Sequence, residues 1–92
     1  MLYMLDDIIR MTESLKKDME SNIPDLDKEI DRMIENREES SQRIEGMLDI
    51  LLDHLYMDVG KDQFIRLNSY YSTICPDYSA EYSRFYDEII GS

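Results

Sequence analysis

Carboxylates are the side chains this sequence supplies in greatest number for chemistry. Asp27, Asp31, Glu35, Glu38, Glu45, Asp49 and Asp53 recur at steps of three and four, with Gln42 between them. On a helix that spacing lines them up as one acidic ridge. Such a ridge can dock a basic protein, mimic a nucleic-acid backbone, or simply lie in water. Like charges four residues apart repel by only about a few tenths of a kcal/mol, so a solvated face is the plain reading in an acidic protein. His54 is the single histidine and Cys75 the single cysteine. A His-rich transition-metal site is therefore excluded in practice. His54 reads as a partly buried helix residue near Asp58, and nothing in its spacing from Cys75 marks a nucleophile–base pair. No catalytic residue, metal ligand set or cofactor is expected.

Composition narrows the partners. The chain has 92 residues and a net charge of −11, with 10 basic against 21 acidic side chains. Nucleic-acid phosphates and anionic membranes need Lys and Arg, so neither is an expected partner; a basic protein is. No apolar run is long enough to span a membrane. Asp6 and Asp7 interrupt the apolar-rich start, so no signal peptide is expected. With one cysteine no internal disulfide can form, and the cytoplasm is the expected compartment. A hydrophobic content of 42 % allows a single small folded domain over 1–92.

The elements that would position these residues read as helices throughout. Between Pro24 and Met57 the apolar residues Leu26, Ile30, Met33, Ile34, Ile44, Met47, Leu48, Leu51, Leu52 and Leu55 keep helical spacing. Pro24 suits a first helical position and Gly60 a stop. The expectation is one long central helix over about 24–57, with a polar waist at Arg37, Ser40 and Ser41 where apolar residues would be expected. That waist is either a dimer seam, a register-fixing polar layer or a bend. Glu-Glu-Ser-Ser-Gln contains no strong breaker, which favours a whole helix and a symmetric homodimer covering its exposed middle. An earlier helix over about 2–20, including Leu2, Leu5, Ile8, Ile9, Met11, Leu15 and Met19, is expected to fold back on the long one after a turn at Ser21 to Ile23. Helices over about 61–73 and 78–90 follow, divided by Cys75-Pro76-Asp77. The fold class is all-α: a four-helix antiparallel bundle or array built on the 24–57 helix.

Two family resemblances can be placed on this frame. Leu26-Asp27-x-x-Ile30-x-x-Met33-Ile34-x-x-Arg37 loosely resembles the first-helix pattern of the all-helical chorismate mutases, in which the Arg at the position of Arg37 contacts substrate. The sequence departs from that pattern where further cations are needed: Glu20 stands near one position, Met47 and Leu48 near another. An active mutase is therefore not expected. Glu35-x-x-Glu38 is similar to half of the carboxylate signature of all-helical nucleotide pyrophosphatases, which bind Mg²⁺ between two helices. The second half is missing, because Glu45 and Asp49 are four apart.

The aromatic residues concentrate near the C-terminus. Tyr71, Tyr78, Tyr82 and Phe85 have core spacing, whereas Tyr70 and Tyr86 fall off the stripe centres and suit an interface. The functional expectation is a small acidic, non-enzymatic interaction or regulatory protein. Its candidate partner-binding residues are Glu38, Glu45, Asp49, Asp53, Tyr70 and Tyr86. The alternatives are a metal-dependent helical nucleotide hydrolase acting through Glu35 and Glu38, and a structural assembly subunit.

Overall fold

A computed structural model describes the backbone of residues 2–91 and the side chains of residues 5–91; the place expected for the Leu2 side chain lies outside the described residues. The four helices are α1 (Leu2–Glu35), α2 (Ser41–Leu55), α3 (Lys61–Ser72) and α4 (Pro76–Ile90), with no strand among the described residues. The chain is all-α, as the periodicity requires. Its helix boundaries, however, correct the expected central helix over 24–57.

The first correction concerns Pro24, which lies inside α1 rather than at a helix start. A proline within a helix removes one backbone hydrogen bond and costs about 3 kcal/mol. Here Glu20 and Pro24 are both exposed, so the carbonyl left over can bond to water. The apolar stripe of Met19, Ile23, Leu26, Ile30 and Met33 runs through the site without a phase shift. Ser21 and Asn22 are therefore helical, and the expected hairpin between helices 2–20 and 24–57 does not form.

The second correction concerns the waist. α1 ends at Glu35, and Arg37 takes a left-handed conformation with φ 53°. Two backbone bonds close the end: Glu38 N–H to Met33 O at 2.9 Å and Arg37 N–H to Ile34 O at 3.1 Å. This pair is the Schellman arrangement, with Arg37 where glycine is usual. Ser40 then caps α2, its hydroxyl accepting from the Arg43 N–H at 3.3 Å. The polar waist is thus a helix stop followed by a helix start, a bend and not part of a continuous helix.

The same construction recurs after α2. Asp58 has φ 59°, and Val59 N–H reaches His54 O at 3.1 Å while Asp58 N–H reaches Leu55 O at 2.9 Å. Gly60, with φ 85°, then precedes α3, and a Cβ there would come within 3.4 Å of Ile23 Cδ1. Pro76 occupies the first position of α4, where its missing N–H is harmless.

α3 packs against each of the other three helices, and α2 also meets α4. The core is Ile30, Met33, Ile44, Leu48, Leu51, Leu55, Phe64, Leu67, Tyr71 and Tyr82. Only the C-terminal third of α1 joins it. Residues 5–18 are all exposed, so α1 projects from a compact body as an arm, in a molecule measuring 51 × 27 × 19 Å.

Candidate interaction surfaces

The acidic ridge is divided among three tasks. Asp27 and Asp31 face α3, where Arg66 Nη2 lies 3.1 Å from a carboxylate oxygen of each. Gln63 also donates to Asp27, at 3.1 Å. These bonds tie α1 to α3. Glu38 pairs with Arg43 at 3.3 Å, across the gap between α1 and α2. Glu45 and Asp49 accept hydrogen bonds from tyrosines of the neighbouring helices: Tyr71 donates to Glu45, and Tyr82 donates to Asp49 Oδ1 at 2.8 Å. Asp53, one turn further on, is exposed.

These tyrosines are perturbed by their surroundings. Burial and the bond to Glu45 push the Tyr71 hydroxyl up to about 12. Burial and Asp49 push Tyr82 up as well. Both effects have one cause: ionising either ring would place a phenolate in a low-dielectric core beside a carboxylate. Tyr70 is half-buried, and its hydroxyl donates to the Glu38 backbone carbonyl at 2.8 Å, pinning the segment after Arg37 to α3. Its hydroxyl is also pushed up, by burial and then by Glu38 and Glu39. Tyr86 is half-buried and stacks on Phe64 with ring centroids 5.4 Å apart. Arg37 is exposed, and Ser41 lies 3.6 Å from Cys75 Sγ through its hydroxyl.

Tyr71 and Tyr82 take the core positions expected of them, but Tyr78 is 60 % exposed. Ser79 faces α3 instead. Its hydroxyl donates to Asn68 Oδ1 at 2.9 Å, and Asn68 Nδ2 returns bonds to Ser79 O at 3.2 Å and Ser83 Oγ at 3.0 Å. This buried polar clasp between α3 and α4 had no signal in the hydrophobic pattern. His54 is buried, with Nδ1 2.8 Å from Ile50 O and Nε2 lacking a partner. The carbonyl can only accept, so Nδ1 carries the hydrogen. Asp58 does not serve His54; it pairs with Lys61 at 2.8 Å, and that ammonium holds its carboxyl below the ordinary range.

Where α2 and α4 diverge, Asp49, Leu52, Asp53, Tyr56, Phe85, Glu88 and Ile89 line a groove of about 540 Å³. Its floor is apolar and aromatic. Three carboxylates and no Lys or Arg line it, while the Arg84 guanidinium lies over the Phe85 ring at 5.8 Å and pairs with Glu81. Tyr56 is 72 % exposed, and Phe85 meets the edge of Tyr82 at 5.8 Å. Of the residues expected to bind a partner, Asp49 and Asp53 come together here. Glu38, Glu45, Tyr70 and Tyr86 lie elsewhere, the first three in bonds that hold the body closed. Tyr56, Phe85 and Glu88 complete the groove, and only the crossing of α2 and α4 could reveal them.

Glu35 and Glu38 are separated by the Arg37 turn, so they do not share a helical face. Among the described residues, no group of three or more His, Cys, Asp or Glu is placed to hold a metal ion. Among the same residues, no helix is long and apolar enough to cross a membrane. No protein-family model, curated protein or solved structure matches the chain.

Proposed function

We propose that the protein is a non-enzymatic interaction or regulatory protein that receives a basic, partly apolar segment of a protein partner in the α2–α4 groove. The observation that carries this reading is the lining of the groove: Asp49, Asp53 and Glu88 around Tyr56, Phe85, Leu52 and Ile89, with no Lys or Arg among the lining residues and the neighbouring Arg84 already paired with Glu81. A Lys or Arg side chain suits such a place twice over. Its stem covers apolar surface and its charged head meets carboxylates and aromatic faces. The net charge of −11 would draw a basic partner in and speed encounter, in a manner that weakens with salt. The proposal places the protein in the cytoplasm, consistent with a single cysteine and no disulfide within the chain.

The test is co-purification of partners at low salt with three baits: the wild type, Asp53→Lys with Glu88→Lys, and Glu13→Lys with Glu20→Lys. The two variants change the net charge equally, but only the first reverses the groove. Loss of a retained partner from the groove variant alone supports the reading. Equal loss from both variants reduces it to non-specific charge, and retention by the groove variant overturns it.

A further inference from the structure

We propose that the projecting arm of α1, residues 5–19, pairs antiparallel with the arm of a second copy of this chain. Leu5, Ile8, Thr12, Leu15 and Met19 follow one another at spacings of three, four, three and four, the heptad seam by which two helices pair. The same face continues into Leu26 and Met33, which pack into the body. The arm therefore carries a core-facing stripe beyond the end of its own core. Leu5, Ile8, Ile9, Met11 and Leu15 are between 45 % and 71 % exposed. Offering on the order of 100 Å² each, they present about 500 Å² per chain and about 1,000 Å² for a pair, which reaches the lower end of specific interfaces.

Charge favours the antiparallel orientation. Residues 1–20 hold three basic and five acidic side chains, net −2, while residues 21–92 hold seven and sixteen, net −9. Parallel arms would set two strongly acidic bodies side by side. Antiparallel arms set them at opposite ends of a paired segment over residues 5–15, about 15 Å long, well beyond the screening length of about 8 Å at physiological salt. An anionic lipid surface is a poorer occupant, because the polar face of the arm carries Asp6, Glu13 and Glu20 beside Arg10 and Lys17. Register follows from the polar seam residues. Centring the pair near residue 10 places Leu5 against Leu15 and Ile8 against Thr12, and leaves Asn22 outside the overlap. Sliding it by one heptad would set Leu5 against Asn22.

Sedimentation at increasing concentration tests the pairing. The wild type should pass from one to two chain masses at on the order of 10–100 µM, as a small interface implies. Ile8→Asp with Leu15→Asp should hold it at one, with the near-ultraviolet tyrosine signal of the body unchanged. Orientation is read in a Cys75→Ser background by mixing a Leu5→Cys chain with a Leu15→Cys chain under mild oxidation. Antiparallel arms cross-link Leu5→Cys to Leu15→Cys, whereas parallel arms cross-link each chain to its own kind. A wild type that stays monomeric, a double-Asp variant that still dimerises, or like-with-like cross-links would each overturn the proposal. So would a monomer whose arm is captured by anionic vesicles. None of these outcomes bears on the α2–α4 groove, which the arm does not line.

Discussion

Replacing Arg37 by glycine should make the protein more stable, and the sign of the effect decides the architecture. Arg37 sits at φ 53°, where a side chain clashes with its own backbone at a cost of about 1–2 kcal/mol. Glycine escapes that clash but brings a more flexible unfolded chain, which returns about 0.5–1 kcal/mol. Arg37 is exposed, so little packing is lost. The net gain is about 0.5–1 kcal/mol, which for a domain of this size raises Tm by about 2–8 °C. Thermal unfolding followed by circular dichroism would measure it. Arg37→Asn should gain less, and Arg37→Val should lose stability because a β-branched residue tolerates positive φ poorly. If residues 24–57 instead formed one helix, glycine at position 37 would sit in its interior and cost about 1 kcal/mol. A drop in Tm for Arg37→Gly would refute the helix break.

Two further outcomes follow from the tyrosine contacts and the buried clasp. The Tyr71 hydroxyl is raised to about 12 in the folded protein against about 10 in an unfolded chain. The stability this represents is complete below pH 10 and is lost as pH rises from 10 to 12, because the unfolded state then binds fewer protons. Tm should fall steeply over that interval, and less steeply in Tyr71→Phe; an absorbance titration should show Tyr71 and Tyr82 ionising above the ordinary tyrosine range. Asn68→Ala removes the side-chain bonds to Ser79 and Ser83 but leaves the Ser79 hydroxyl its bond to the Asn68 backbone carbonyl at 3.0 Å, so it should cost about 0.5–1.5 kcal/mol, read by urea denaturation, whereas Ser72→Ala on the exposed face of α3 should change stability by less than about 0.5 kcal/mol.

The sequence disclosed the helices more readily than their joints. Gly60 and Pro76 stand at the junctions where their backbone preferences put them, so α3 and α4 were legible to within two residues. The joint at 36–40 was hidden because Arg37 does the work of a glycine, and nothing in an Arg marks a left-handed residue. Ser40, whose hydroxyl caps α2, lies between two stretches of apolar stripe, and from the sequence that setting reads as a polar waist in a continuous helix. Pro24 misled in the opposite direction. It has the character of a helix start, but the stripe from Met19 to Leu26 keeps phase across it and the lost bond faces water. Spacing alone places Glu45 and Asp49 on the acidic ridge. They prove to be the acceptors of Tyr71 and Tyr82, which no one-dimensional pattern could pair. The groove combines α2 and α4, helices that share no sequence motif, so only its Asp49–Asp53 edge was in view.

The interaction reading rests on the groove between α2 and α4, and backbone and methyl chemical shifts would test it most directly. The isotope-labelled protein would be titrated with the basic segment of a co-purified partner. The account predicts that shifts gather at Leu52, Asp53, Tyr56, Phe85, Glu88 and Ile89 and vanish when Asp53 and Glu88 are both changed to Lys. Shifts spread evenly over the acidic surface, or centred on Asp27 and Asp31, would contradict it.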